Sequence, residues 1–251
     1  MKELIVLNKP KSPVSEAYRG IRTNIQFANV DKNIKTILVT SSKQGEGKTT
    51  TVSNIAITMA DLGKKTVIID CDLRRPRLHK AFGITNVGGI TDILLNSDSY
   101  KGYLKKTGIE NLEIITAGQI PSNPSEMLSS KSMGKLIEQI RNDYDYIFID
   151  APPIAVVTDA VILSSMADGA ILVCHSGGVE VELAKSAKQA LEKSGANIIG
   201  VVLNKMNIEK RSSYYAYYYN YYSDEAATDG KKSRLGSSGR TKQMKVASGN
   251  D

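Results

Sequence analysis

The sequence predicts an α/β fold, a doubly wound and mostly parallel β-sheet with helices on both faces. Three observations lead there. Short apolar runs without helical period alternate with stretches whose apolar residues recur at three- and four-residue spacing, as in successive strand–helix units. Two of the apolar runs end in a carboxylate, Asp70 and Asp150, and such strand ends face the ligand crevice of an open α/β sheet. A third run passes through a glycine-containing loop directly into a helix. At 251 residues the chain is long enough for one large domain of this kind.

Taken in order, residues 1–11 read as an unpaired leader. Ser12-Pro13 then supplies an N-cap and a first-turn proline for a helix running to about residue 28. On it Glu16, Arg19 and Arg22 recur every third residue and share one broad face, either a solvated face with internal ion pairs or a contact with another subunit. Residues 36–40 are a buried strand of β-branched and apolar residues. Residues 51–62 are a helix with Val52, Ile55, Ala56, Met59 and Ala60 at helical spacing. Residues 65–70 form a second buried strand, 88–95 a turn and short helix, 112–116 a short strand, 118–124 a loop and 125–142 a helix. Strands at 146–150, 170–174 and 198–203 follow, with a helix at 180–194. From about residue 209 the character changes. Seven tyrosines, Tyr214, Tyr215, Tyr217, Tyr218, Tyr219, Tyr221 and Tyr222, are followed by Gly, Ser, Lys, Arg and Thr with almost no apolar residue, a composition that cannot bury a core. The expected organisation is a folded domain at 1–208 and a mobile tyrosine-rich tail at 209–251.

The loop between the first strand and its helix, Ser41-Ser42-Lys43-Gln44-Gly45-Glu46-Gly47-Lys48-Thr49-Thr50, has the context of a P-loop. Gly45 and Gly47 let backbone N–H groups close around phosphate oxygens, and the helix N-terminus adds partial positive charge. Lys48 is placed to reach the β- and γ-phosphates and the Thr49 hydroxyl to ligate Mg²⁺. The nucleotide-binding set is therefore Gly45, Glu46, Gly47, Lys48, Thr49 and Thr50, with ATP and Mg²⁺ as the cofactors. Ser42 stands where the usual pattern has its first glycine. Asp150 sits where a strand-end carboxylate orients metal-bound water. Asp70 and Asp72 form a second acidic pair, suited to serve the metal and to accept a hydroxyl proton, or else to cap a helix and face solvent. The metal set is thus Thr49, Asp70 and Asp150, and the catalytic set Lys48, Asp70, Asp72 and Asp150. Asn204, after the last strand, resembles in its position a residue with which related ATPases read the base edge, though a short polar loop would look the same.

Composition narrows the setting. No run approaches the roughly 18 apolar residues of a membrane span, and the N-terminus has no secretory pattern. Cys71 and Cys174 lie alone in or beside strand-like runs, as reduced structural cysteines of a cytosolic protein do. The net charge of +7 suits a polyphosphate site and a basic tail, so a nucleic-acid partner is not expected.

The chain resembles the cytoplasmic catalytic proteins of bacterial tyrosine kinases of the capsule and exopolysaccharide type, over about residues 12–222. The resemblance rests on Ser15-Glu16-Ala17-Tyr18-Arg19-Gly20-Ile21-Arg22-Thr23-Asn24, Gly45-Glu46-Gly47-Lys48-Thr49, Val67-Ile68-Ile69-Asp70-Cys71-Asp72-Leu73-Arg74, Asn123-Pro124-Ser125-Glu126, Ile149-Asp150-Ala151-Pro152-Pro153 and the tyrosine cluster. It implies a P-loop NTPase fold and transfer of phosphate from ATP to protein tyrosine. Lys48 and Thr49 match the family's Walker A element, Asp70 and Asp72 its Walker A-prime, and Asp150 its Walker B. Asp72 matches the base for the incoming hydroxyl, and Tyr214 to Tyr222 match the phosphoacceptors. Glu16, Arg19 and Arg22 match the motif through which such kinases pack into a ring, where tail phosphorylation passes between subunits. The resemblance further implies protein tyrosine substrates, a cognate phosphatase, and activation by the cytoplasmic end of a membrane protein of the polysaccharide chain-length regulator kind. That partner would recruit the cytoplasmic chain to the inner face of the plasma membrane. Lys43, if it is not simply a solvated loop lysine, falls at the spacing of an extra lysine in partition and septum-positioning ATPases, which makes a positioning ATPase without kinase activity the alternative. An iron–sulfur carrier on this fold would need a C-x-x-C pair that the chain lacks. Seven tail tyrosines have no use in a positioning ATPase and separate the two readings.

Overall fold

The computed structural model describes residues 3–30, 32–96 and 98–206. The leader is folded rather than unpaired. A short helix α1 (Ile5–Asn8) buries Leu4 and Val6, the Val6 N–H donates to Asn54 Oδ1 at 3.0 Å, and Asn54 Nδ2 donates to the Glu3 carbonyl at 2.9 Å. Helix α2 (Pro13–Ala28) starts at Ser12, whose Oγ accepts the Ser15 N–H, and Pro13 occupies the first turn, where no intrahelical N–H is required. There follow β1 (Thr36–Ser41), α3 (Lys48–Ala60), β2 (Thr66–Asp70), α4 (Leu78–Phe82), α5 (Ile90–Asn96), a 3-10 turn at Tyr100–Tyr103, β3 (Lys105–Lys106) and β4 (Leu112–Ile115). The helix expected at 125–142 is two: α6 (Pro124–Leu128) and α7 (Lys131–Asp143). Ser130 divides them by accepting the Met133 N–H at 3.2 Å, an N-cap inside the predicted span. The remainder is β5 (Tyr146–Asp150), α8 (Asp159–Ser164), β6 (Gly169–His175), α9 (Val181–Lys193) and β7 (Ile198–Asn204).

The strands make one sheet in the order β3-β4-β2-β5-β1-β6-β7. Every pairing is parallel except β3 with β4, where a two-residue Lys-Lys strand closes the edge with charge. Side chains divide by the period of two. Leu38, Val67, Ile69, Ile147 and Ile149 enter the core shared with α5–α9. Ile37, Val39, Ile68, Phe148, Ile171 and Val173 enter the core shared with α1–α4. Burial on both faces explains why these strands read as unbroken apolar runs.

The order also positions the site. From β1 the chain crosses β5 to reach β2, and it later returns across β1 from β5 to β6. The crevice at this reversal opens above the C-terminal ends of β1, β2 and β5. Register places Asp70 opposite Asp150, so two carboxylates stand side by side on neighbouring strands, Asp150 on the strand next to β1 and Asp70 on the one beyond.

Candidate active site

The loop between β1 and α3 has the shape its glycines predict. Gly45 and Gly47 adopt φ of +80° and +91°. A Cβ at Gly47 would lie 2.1 Å from Asn204 Nδ2, so a larger residue there would displace that amide and would be strained at this positive φ. α3 starts at Lys48 without a side-chain cap, leaving its first-turn N–H groups for an anion. Lys48 is 8% exposed, and its Nζ lies 3.9 Å from Asp72 Oδ2.

Thr49 and Asp150 come together. Thr49 Oγ1 donates to Asp150 Oδ2 at 2.6 Å, while Asp150 Oδ1 is buried without a hydrogen-bond partner. Burial raises the Asp150 carboxyl to about 6, a rise that the Lys48 charge and the Thr49 hydrogen bond partly offset. An orphaned carboxylate oxygen beside a hydroxyl, with Asp72 adding charge, fits a hard cation with oxygen ligands such as Mg²⁺. Thr49 and Asp150 are the side chains that would hold it. Asp70 is also fully buried, but its oxygens are turned to the backbone: Oδ1 accepts the Asp72 N–H at 3.2 Å and Oδ2 the Leu78 N–H at 3.1 Å. Its carboxyl stands well above the ordinary range, through burial first and the neighbouring Asp150 second. Asp70 thus shapes the turn that carries Asp72. Asp72 faces the loop, with Oδ2 toward Lys48 and Oδ1 accepting the Arg75 N–H at 3.1 Å. Burial raises its carboxyl too, against the pull of Lys48, which suits a group that accepts a hydroxyl proton.

The Asp72 turn is anchored by contacts that the sequence did not suggest. Arg74 donates from Nε to Asp159 Oδ2 at 2.8 Å and from Nη2 to Asp159 Oδ1 at 3.1 Å and Ser125 Oγ at 3.0 Å. Ser125 Oγ in turn donates to Asp159 Oδ1 at 2.6 Å. Asp159, at the start of α8, is fully buried, yet these bonds outweigh burial and hold its carboxyl below the ordinary value. Thr158-Asp159 before an apolar stretch was a readable helix start, though its partner 85 residues away was not.

Asn204 lies against the loop, donating from Nδ2 to the Glu46 carbonyl at 2.8 Å and accepting the Lys205 N–H on Oδ1. Its amide is therefore engaged with the protein at both ends. Lys43 belongs to the loop through its backbone: its N–H donates to Glu46 Oε2 and its carbonyl accepts from Ser41 Oγ. Thr50 Oγ1 donates to Glu3 Oε2 at 3.3 Å. On α2, Arg19 pairs with Glu16 at 2.9 Å and donates to the Pro10 carbonyl, and Arg22 Nη1 donates to the Thr58 carbonyl at 3.2 Å, all within the chain. Cys71 and Cys174 are buried and free, as expected. Tyr214, Tyr215, Tyr217, Tyr218, Tyr219, Tyr221 and Tyr222 lie outside the described residues, as does the tail that carries them. Among the described residues no helix is long and apolar enough to cross a membrane.

A parallel sheet whose first strand leads through this loop into α3, with Asp150 one strand away, defines a P-loop NTPase. Residues 34–193 match the family described as AAA domain. The tyrosine-protein kinase YwqD of Bacillus subtilis (strain 168) is 43% identical over 213 residues, which are 85% of this chain and 90% of YwqD. The kinase domain of the Escherichia coli tyrosine kinase ETK superposes with a TM-score of 0.79 at 31% identity, covering 84% of this chain and 82% of that one. The chain belongs to the family of bacterial tyrosine-protein kinases, and its enzymatic class is protein-tyrosine kinase. The septum site-determining protein MinD of Pyrococcus horikoshii OT3, solved with Mg-ADP, is also similar, with a TM-score of 0.60, 25% identity and coverage of 71% and 73%. The kinases exceed it in identity and in coverage, so the positioning-ATPase reading is not favoured.

Proposed function

We propose that the chain transfers the γ-phosphoryl group of ATP, with Mg²⁺, to tyrosines of its own C-terminal cluster and of other proteins. The observation that carries this is the meeting of Lys48, Thr49, Asp72 and Asp150 at one crevice. Lys48 would neutralise charge developing between the β- and γ-phosphates, and Asp72, beside it and with a raised carboxyl, would take the tyrosine proton. A bound Mg²⁺ would supply further neutralisation of the phosphates, held by Thr49 and Asp150. Asn204 would meet the base only with the face it does not spend on Glu46 and Lys205.

The larger setting is part of the same proposal. Glu16 and Arg19 keep 37% and 30% of their side-chain surface exposed, which supports a repeated head-to-tail contact that closes into a ring. Residues 209–251 would act as a mobile acceptor segment offered to a neighbour. Seven phosphotyrosines, each about −1.5 to −2 at pH 7, would overturn the chain's charge of +7 and dissolve the ring until a phosphatase restores it. A membrane activator of the polysaccharide chain-length regulator kind would bring the cytoplasmic chain to the membrane, where it regulates capsule or exopolysaccharide synthesis.

The test is Lys48→Met, with mass spectrometry of the tail after incubation with Mg-ATP. Tail phosphorylation is expected to fall by roughly 10²-fold or more while the fold persists. Tail phosphorylation at the wild-type rate would remove the P-loop from the mechanism.

A further inference from the structure

The nucleotide loop is held from both sides, and the ties meet at Glu46. Its side chain, 1% exposed, is directed into the protein. Oε2 accepts the Ser42 hydroxyl at 2.7 Å and the Lys43 N–H at 2.9 Å, and Oε1 accepts the His175 N–H at 3.0 Å, at the end of β6. From the β7 side, Asn204 Nδ2 donates to the Glu46 carbonyl at 2.8 Å and Lys205 Nζ to the Gly45 carbonyl at 2.7 Å. Lys205 has φ of +56°, a conformation that a lysine adopts only when its surroundings hold it there.

A buried carboxylate beside a polyphosphate site is a liability, because its charge opposes the ligand's. Satisfied by one O–H and two N–H donors, it becomes a brace instead. The hydroxyl that Ser42 brings to the position usually held by glycine is one of those donors, so the departure from the common loop pattern is used by the brace. We propose that Glu46 is a positioning residue for phosphate binding. Its carboxylate ties the start of the loop to itself and to β6, its carbonyl ties the crown to β7, and Lys205 completes the second tie. A loop fixed in this way loses little freedom when phosphate arrives, so the ties act on nucleotide affinity. Lys48 on α3, Asp72 in the turn after β2 and Asp150 at the end of β5 make no side-chain bond to Glu46, so turnover at saturation depends on it less.

This rests on the reading of the P-loop as the nucleotide site, and the experiment separates the two. Full-length wild type, Glu46→Gln, Ser42→Ala and Lys205→Ala are titrated with a fluorescent ADP analogue and magnesium, with Lys48→Met as the lost-site control. Thermal unfolding without nucleotide and steady-state phosphorylation of a tyrosine peptide run in parallel. In Glu46→Gln an NH₂ group replaces one acceptor oxygen and meets an N–H or O–H donor. Its affinity and KM for nucleotide are expected to worsen about tenfold or more, with kcat within about threefold of wild type. Ser42→Ala and Lys205→Ala, each lacking one donor, are expected to lose about threefold. A wild type that does not bind the analogue sinks the nucleotide-site reading itself. A wild type that binds while Glu46→Gln binds equally well leaves that reading standing and overturns this inference. A fall in kcat with unchanged KM also overturns it. If Glu46→Gln does not fold, unchanged affinity in both Ser42→Ala and Lys205→Ala overturns it.

Discussion

Arg74→Ala probes the anchor of the Asp72 turn. Arg74 makes two charged hydrogen bonds to Asp159 and one hydrogen bond to Ser125. Asp159 is fully buried, so removing the guanidinium leaves a desolvated carboxylate with Ser125 as its remaining side-chain donor. Breaking a buried pair at one partner costs about 3–5 kcal/mol, and the 40% exposure of the Arg74 side chain lets water soften the loss to about 2–3 kcal/mol. For a folded unit of about 200 residues that is roughly 4–12 °C in Tm. The pH dependence should change sign at this site. In the wild type the Asp159 carboxyl is held below 3.8, so its stabilising contribution is present above that pH and is lost as pH falls through the lower folded value. Without Arg74 burial prevails and the folded value rises above 3.8. Ionisation then costs stability as pH climbs from 3.8 through the raised value. Urea unfolding from about pH 3 to pH 8 of wild type, Arg74→Ala and the Arg74→Ala/Asp159→Asn double variant measures both effects. The double variant removes the buried charge and should recover at least half the loss. Arg74→Ala within about 0.5 kcal/mol of wild type, or a double variant no better than the single one, would refute the anchor.

Three further outcomes are expected. Asp150→Asn should lower phosphoryl transfer by roughly 10²-fold or more. It should also stabilise the nucleotide-free protein above about pH 6, where wild-type Asp150 must ionise while buried, and urea unfolding at pH 5 and pH 8 gives the comparison. Glu16→Ala/Arg19→Ala/Arg22→Ala should convert the assembled form to a monomer on light scattering; an unchanged mass returns α2 to a solvated face. In a mixture of Lys48→Met protein with a tail-deleted active protein, phosphate should appear on the Lys48→Met tail; its absence, with wild type still labelling itself, would confine each tail to its own site.

The central strands and the phosphate loop were legible because both sheet faces are covered. Runs such as Val67-Ile68-Ile69 and Ile147-Phe148-Ile149 carry no polar interruption, and the glycines at 45 and 47 fall where φ is positive. The sequence did not show which side chains would turn inward. Asp70 was expected at the metal, and both its oxygens accept backbone N–H groups. Glu46 was grouped with the nucleotide ligands, and its carboxylate braces the loop from behind. The leader was misread because two apolar contacts, Leu4 and Val6, are too few to register as a period, and the break at Ser129-Ser130 because apolar spacing continues through it. The pairing of Arg74 with Asp159 spans 85 residues and leaves no local trace.

Asn204 and Lys205 are bonded to the crown of the phosphate loop, so the chain beyond Met206 departs from the rim of its own nucleotide site. Tyr214 follows Met206 by eight residues and Tyr222 by sixteen, a reach of at most about 28 Å and 55 Å. If these tyrosines are the acceptors proposed above, a tether of that length would give each an effective concentration at its own site that can approach millimolar. On that proposal distance alone would not reserve the tyrosines for a neighbour, and any selectivity would come from the direction in which a tyrosine can enter. The two routes differ in molecularity. Modification through a chain's own site keeps a constant half-time on dilution, and modification by a neighbour slows once dilution separates the subunits. The order of labelling along the cluster carries the same information, since the farthest tyrosines are the ones best able to leave their own chain.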